Sequence, residues 1–505
     1  MAMTTLYGEF KVSLLAILVL VLTLIQGTST SLTLVYKLSP SLEPGLSAIW
    51  GITYLMALTG LIANFGINWI TWLIRYRLLL SILLVGTAFS AMWSFEASLT
   101  LERSVHLLGS TIIAFYIGFT VPLTRILSIT TIVLGLLMIA SIITVFTVPA
   151  IGIESYEGDS VWRGVMTSKN TLGFWAAITV LAGATMMANV PSTGKKLLCL
   201  AAMTCGLIAL VFSVSATSLL ALIVSGLVMT YLYVAFGFEL GFIATVVLGI
   251  MFATLVGFAF YHIDTAELIG RSGDLTGRSE IWAQTWKLIK ERPLTGYGYG
   301  TLWYPTPDSL WIQQTLTDFS WKVYHAHNGV LQLASEIGIP LTAIAIIMII
   351  QQLIEMIYCQ YQRQQAGVLF VLGFTIALLI SNYSEARLVV NRELYWIFFV
   401  ALPISMLQQV TVIATENNFY PVPTKLHKRT RDKQANNATN RQHRYALKRR
   451  LDERYSKQST ANGQVIDGKV FNLSASDKVR LNMKLNSIQK RRQSRLADQH
   501  KKTGS

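Results

Sequence analysis

The chain has 505 residues, of which 53% are hydrophobic and 13% charged. Soluble domains carry roughly 25% charged residues, so this composition excludes an ordinary soluble enzyme and points to a membrane protein. The formal net charge of +15 sits at one end: from Pro421 onward there are 22 basic and 6 acidic residues, which leaves 19 basic against 20 acidic in the rest.

Apolar stretches of about 15–23 residues, long enough to span a bilayer, are predicted at 12–27, 46–64, 78–95, 106–122, 126–148, 171–189, 197–213, 216–236, 240–261, 339–358, 368–383 and 394–413. The first reads as a retained helix, because no small-residue cleavage site follows it. Only Ser-Val-Ser-Ala-Thr-Ser divides the seventh from the eighth. The predicted fold class is all-α, a polytopic membrane bundle of about twelve transmembrane helices. Residues 1–261 make an N-terminal bundle, 262–338 one large extracytoplasmic loop, 339–414 the last helices and 415–505 a basic tail.

A positive block beside a last span stays in the cytoplasm, and an even helix count places the N-terminus there too. Arg75, Arg77, Arg125, Lys195, Lys196 and Arg363 then lie in inner loops, and Lys37, Arg103, Arg163, Lys169, Arg387 and Arg392 in outer ones. The outer cations run against the positive-inside bias, which makes them candidates for function. Cys199, Cys205 and Cys359 fall in or beside apolar spans, so no disulfide framework is expected. No metal-ligand spacing, phosphate loop or dinucleotide fingerprint occurs, and neither a metal nor a cofactor is expected.

Within the outer loop, Ser279–Arg292 is predicted as a short helix with Ile281, Trp282, Trp286 and Ile289 on one face, ended by Pro293. Gly296-Tyr297-Gly298-Tyr299-Gly300 must then turn, since glycine reaches backbone angles other residues avoid. The ordinary reading is a helix lying on the bilayer with Trp282 and Trp286 as anchors. The tail, poor in large apolar residues, is expected to be disordered and drawn to anionic lipid by roughly 1 kcal/mol per charge. No stacking aromatics interleave its cations, so nucleic acid is not an expected partner.

Three groups of residues could carry chemistry. His327 is of the residue type that titrates near neutrality and could take a proton from a sugar hydroxyl. Asn328 beside it could orient a ligand or cap the next helix, and His325 would share a face with His327 in an extended segment. The alternative is a loop histidine without a task. Arg278 could bind phosphate through its planar fork, with Arg271 a weaker candidate; either could instead be an ordinary interfacial arginine. Arg163 and Lys169, with Asn170 as a helix cap, stand at the mouth of the sixth span, where snorkelling to lipid phosphates is the alternative. Arg387 and Arg392 could join this positive rim, unless Glu385 and Glu393 simply neutralise them. Glu336 is either a helix-entry residue or helps to hold a histidine.

Gly277-Arg278-Ser279-Glu280-Ile281-Trp282, the Pro293…Gly296-Tyr297-Gly298 turn, Ala326-His327-Asn328 with Glu336-Ile337-Gly338, and Arg163…Lys169-Asn170-Thr171-Leu172-Gly173 together resemble the O-antigen ligase and O-antigen polymerase superfamily. The resemblance covers residues from about 150 to 350. It implies a GT-C-like, metal-independent, inverting glycosyltransferase in the bacterial plasma membrane, with its catalytic loop outside and its tail in the cytoplasm. Such an enzyme moves a glycan from an undecaprenyl-diphosphate carrier to a hydroxyl of another glycan or a lipid. By that resemblance His327 is the base, Arg163 and Arg278 hold the diphosphate with Lys169, and the basic tail lies outside the family pattern. Polysaccharide-assembly proteins are candidate partners for that tail. The competing reading is a secondary transporter or flippase of a small anion or lipid-linked sugar. A transporter should keep ionisable groups at mid-membrane depth and show repeat symmetry, whereas here they gather at the outer rim.

Overall fold

The computed structural model describes residues 12–28, 43–156, 159–237, 278–304, 325–363 and 366–413, with isolated positions 247, 249, 251 and 323. The chain divides into two units, 1–428 and 429–505. The tail, the ninth predicted span apart from positions 247, 249 and 251, Arg271 and Tyr324 lie outside the described residues.

Fourteen α-helices and one hairpin follow in order among the described residues. They are α1 Leu14–Gly27, α2 Glu43–Phe65, α3 Asn68–Tyr76, α4 Leu78–Phe89, α5 Ala97–Thr120, α6 Leu123–Thr147, α7 Pro149–Gly152, β1 Ile153–Tyr156, β2 Asp159–Trp162, α8 Lys169–Asn189, α9 Thr193–Phe212, α10 Ala216–Gly237, α11 Arg278–Glu291, α12 Gly329–Arg363, α13 Ala366–Ser384 and α14 Leu394–Ile413. Seven of these helices are long and apolar enough to cross a membrane, or eight if the bent α3–α4 pair is one span. α1 and α14 are shorter apolar helices.

The seventh and eighth predicted spans separate as expected, into α9 and α10. Val214 breaks the chain between them with a φ of 48°. Two details differ from expectation. α3 and α4 meet at 100° across Arg77, where a span was expected only from residue 78. The loop before α8 contains an antiparallel hairpin pairing Ile153 with Trp162 and Tyr156 with Asp159, which hydropathy does not signal because the strands are four residues long.

α8 is the central helix. It is apolar on every side and 83% of its span is buried, as a helix surrounded by others must be. It packs against α6, α9, α10 and α13. Phe174 and Trp175 on α8 meet Tyr395 of α14 at ring-centroid distances of 4.8 Å each. The spans of α2, α9 and α10 are 28% buried, and they expose Leu55, Leu198 and Leu227, the pattern of helices with one face toward lipid.

α12 breaks at Gly338, which takes φ 80° and ψ 167°. The glycine turn expected after Pro293 docks into this break. Tyr297 N–H donates to Ser335 O (3.0 Å), Gly298 N–H to Glu336 O (2.8 Å), and Ile339 N–H to Pro293 O (2.8 Å). A Cβ on Gly338 would lie 2.3 Å from Leu294 O, so only glycine permits the approach. The two motifs, Pro293…Gly298 and Glu336-Ile337-Gly338, are halves of one backbone joint.

Candidate functional site

Four side chains from three chain segments converge on the carboxylate of Glu385, one residue beyond α13. Asn170 Nδ2 donates to Glu385 Oε1 at 2.7 Å. Arg278 Nη2 stands 3.5 Å from the same oxygen. His325 Nε2 is 3.6 Å from Oε2, and His327 Nδ1 is 3.8 Å from Oε1. The two imidazole centroids are 3.9 Å apart. Glu385 is 12% exposed, Arg278 and His327 each 17%, and His325 35%, so the group is sheltered but open at the His325 edge.

Each contributor is held by its own local structure. Ser168 caps α8 by accepting from Thr171 N–H at 3.2 Å, which sets Asn170 in the first turn. There Asn170 Oδ1 also accepts from Ser215 Oγ at 3.2 Å. Arg278 is the first residue of α11, one residue earlier than the predicted start. Asn328 caps α12: its Oδ1 accepts from Val330 N–H (3.0 Å) and Leu331 N–H (3.1 Å), and its Nδ2 donates to Tyr383 O at 3.2 Å. That last bond ties the entry of α12 to the exit of α13. Next to it a Cβ on Gly329 would meet Asn382 Oδ1 at 2.0 Å. The same Oδ1 accepts the backbone N–H of Arg387 and Leu388, each at 3.0 Å.

His327 has a φ of 49°, a left-handed backbone that side chains adopt rarely and at a cost of order 1–3 kcal/mol. The neighbouring bonds hold it there. His327 N–H donates to His325 Nδ1 at 3.2 Å, and Ala326 N–H donates to Gln332 Oε1 at 2.8 Å.

The protonation states follow from the surroundings. Burial alone would raise the Glu385 carboxyl, but the neighbouring His327, His325 and Arg387 outweigh it and hold the group well below the usual carboxylate range. Although part of the His325 side chain is open, burial of its ring pushes the imidazole down to about 4, and His327, Arg387 and Arg278 oppose its protonation further. Because His325 Nδ1 accepts from His327 N–H, the proton of the neutral ring lies on Nε2, the atom facing Glu385.

The remaining candidate residues are placed as follows. Arg387 is buried. It donates to Ser381 Oγ at 2.8 Å and to the Tyr395 hydroxyl, and it lies over the rings of Tyr395 and Phe174. Lys169 is buried at the start of α8, its backbone N–H donating to Glu154 Oε2 at 2.9 Å. Arg163 turns to the end of α7, donating to Ile151 O at 2.7 Å and Ala150 O at 3.1 Å. Arg392 contacts His106 and donates its backbone N–H to Ser110 Oγ at 3.0 Å. The described contacts of Arg163 and Arg392 are thus not with Glu385. The glycine turn does not offer its amides to a ligand either, since Gly300 N–H donates to Glu336 Oε2 at 3.0 Å and Tyr299 N–H to Ser90 Oγ at 3.0 Å.

Glu385 is what sequence reasoning missed. It reads there as a neutraliser of Arg387 and Arg392. The available signal was a carboxylate directly at the end of an apolar span, two residues before a buried arginine.

Residues 198–346 match the family model for O-Antigen ligase. That segment, less than half of the chain, is similar to O-antigen ligases. No curated protein matches the chain. The matched O-antigen ligase segment contains Arg278, His325 and His327, while Asn170 and Glu385 reach the same place from outside it.

Proposed function

We propose that this protein is a glycosyltransferase of the bacterial plasma membrane, acting on the outer face as a glycan ligase or polymerase. The gathering of Arg278, His325, His327 and Asn170 around one carboxylate is the observation that carries this reading. The donor is a glycan on undecaprenyl diphosphate and the acceptor is a hydroxyl of a glycan or lipid. About twelve spans, an extracytoplasmic catalytic loop and a cytoplasmic tail in contact with anionic lipid complete the proposal.

In this reading Glu385 takes the orienting role. It faces Nδ1 of His327, so that Nδ1–H is held toward the carboxylate and the lone pair on Nε2 acts as the base. The acceptor O–H gives its proton to Nε2 as its oxygen attacks the anomeric carbon from the face opposite the diphosphate. The bond from that carbon to the diphosphate oxygen breaks, the electron pair leaves with the diphosphate, and the configuration inverts. Arg278 offsets the charge that develops on the leaving group. Arg387, buried among Ser381, Tyr395 and Phe174, supplies fixed positive potential, and Arg163, Lys169 and Arg392 enter only as cations of the rim.

His325, His327 and Glu385 bring ligand atoms within 4.8 Å of one another, a spacing a metal ion could use. The hydrogen bonds favour metal-free chemistry instead. The His325 nitrogen that faces Glu385 carries the proton, so it has no lone pair to give, and Arg278 already places a positive charge 3.5 Å from the carboxylate.

The test is glycan analysis of a producing strain carrying His327→Ala beside one with the chain truncated after Tyr420. Lost polymer or lost attachment in the first, with near-normal product in the second, is expected. Normal glycans from His327→Ala reject the reading. Product that survives washing with a chelator supports the metal-free step, and loss restored by a divalent cation rejects it.

A further inference from the structure

Glu336 lies in α12, is 4% exposed and plays no part in the chemistry above. Its carboxylate joins two parts of the molecule. Oε2 accepts from Gly300 N–H of the glycine turn at 3.0 Å, and Oε1 accepts from the side-chain amide of Gln332, one helical turn earlier. Burial pushes the Glu336 carboxyl up to about 7; in its ionised form it only accepts, which obliges Gln332 to present its NH₂ to Glu336 and its oxygen the other way. That oxygen receives Ala326 N–H at 2.8 Å. Ala326 is buried between His325 and His327. The direction of one amide therefore decides whether the backbone between the two imidazoles has an acceptor.

The bond matters because His327 holds a left-handed φ of 49°. A residue in that region relaxes unless its surroundings over-determine it. Glu336 is itself fixed by the joint between α12 and the glycine turn, where Gly298 N–H donates to its carbonyl at 2.8 Å. The joint, the carboxylate, the amide and the histidine backbone thus form one continuous series of hydrogen bonds.

We propose that Glu336 and Gln332 are a positioning pair that sets the geometry of the His325–His327 segment. The proposal rests on the reading of His327 as the base. Neither residue touches the reacting atoms, so both act through the backbone of Ala326.

The series can be tested by exchange. In Gln332→Glu, two carboxylates face each other and, when both are ionised, no donor lies between them. In the double variant Gln332→Glu with Glu336→Gln, the new amide at 336 can accept from Gly300 with its oxygen and donate to the new carboxylate, which in turn accepts from Ala326. Every bond is restored and the net charge is unchanged. Glu336→Gln alone keeps the acceptor for Gly300 and leaves the Gln332 NH₂ facing a second amide in place of a carboxylate.

The measurement is turnover per folded molecule in detergent with lipid-linked glycan extracted from the producing strain, beside thermal unfolding of the same samples. Gln332→Glu is expected to lose about 10²-fold in turnover, the scale of a reacting group displaced by about 1 Å. The double exchange should recover most of that loss, and Glu336→Gln alone should fall between them. A double exchange no more active than Gln332→Glu overturns the pairing. Full turnover per folded molecule in Gln332→Glu, with only the amount or melting temperature reduced, makes the pair structural and overturns the positioning role. His327→Ala measured in parallel separates the two ideas. If it keeps turnover, the base assignment fails; if it loses turnover while the exchange shows no rescue, only the positioning pair fails.

Discussion

Two half-buried Arg–Glu pairs lie toward opposite ends of α12, and only one of them is a candidate site. Near the C-terminal end, Arg77 Nη1 meets Glu355 at 2.8 Å to Oε2 and 3.0 Å to Oε1, and Gln351 Nε2 donates to the same carboxylate at 3.0 Å. Both side chains are 11% exposed. At the N-terminal end, Arg278 stands 3.5 Å from Glu385, which is shared with Asn170, His325 and His327. From the break at Gly338 to Glu355, α12 runs about 25 Å at 1.5 Å per residue, most of the roughly 30 Å hydrocarbon thickness of a bilayer. Similar burial and the same pair of residue types thus serve different ends. Glu355 is held at close range by an arginine and a glutamine, and the pair fastens the bend between α3 and α4 to α12. Glu385 is held more loosely by its arginine and shared among several partners, two of them imidazoles. In the proposed reaction, this looser hold is what lets Arg278 exchange a carboxylate for an incoming diphosphate.

The comparison is broken most directly at the histidines. His327→Ala should lower turnover by roughly 10²–10⁴-fold, the range of a lost general base, with unfolding of the purified protein little changed. Retained turnover would leave the N-terminal pair no more functional than the C-terminal one. Arg278→Ala should lose roughly 10²–10³-fold, as expected for a group that stabilises developing charge. Arg278→Lys should recover little of it, because a point charge does not replace a planar fork. Equal turnover for lysine and arginine would indicate attraction of the diphosphate rather than its oriented binding.

The region of the site was legible before its geometry. Arg278, His325 and His327 stand out because they crowd into the one long polar interval between apolar spans, where charge beside lipid is costly unless it is used or paired. Asn328 is the cap that its position beside an apolar run suggests. Span boundaries followed hydropathy closely for α9, α10 and α14. Glu385 was not legible, since an acid shortly before two arginines has the same local sequence whether it neutralises them or organises a site 58 residues from His327 in the chain. The glycine turn was legible as a turn, and its docking was not. Gly296, Gly298 and Gly300 have the positive φ expected of a turn, but whether such a turn cradles a phosphate or receives a helix depends on what faces its amides, here Ser335 and Glu336.

A smaller effect should appear in the pH dependence of stability. His325 is depressed to about 4 from an ordinary 6.5, so the unfolded chain binds the proton more readily than the folded one between those values. Stability then rises with pH through that window and is lost as pH falls from about 6.5 to 4. Glu385, also depressed, adds a loss of the same sign below the ordinary carboxylate range. The melting temperature in detergent should therefore drop on acidification, and His325→Gln should flatten the upper part of that drop. An unchanged slope in His325→Gln would place the titration elsewhere and remove His325 from the sheltered group around Glu385.

The least effect on chemistry is expected from the pair that resembles the site most. Arg77→Ala leaves Glu355 with its charge and without its cation in a nearly dry place, and breaking such a pair typically costs about 3–5 kcal/mol. The melting temperature should fall, and it should partly recover in Arg77→Met with Glu355→Leu, where no charge remains to be desolvated. Turnover per folded molecule should be unchanged in both, because α12 is interrupted at Gly338 and the docking of the glycine turn there is independent of the far end. If turnover instead falls in proportion to stability, α12 transmits strain through the break, and the looseness of Glu385 depends on how firmly its counterpart is fastened.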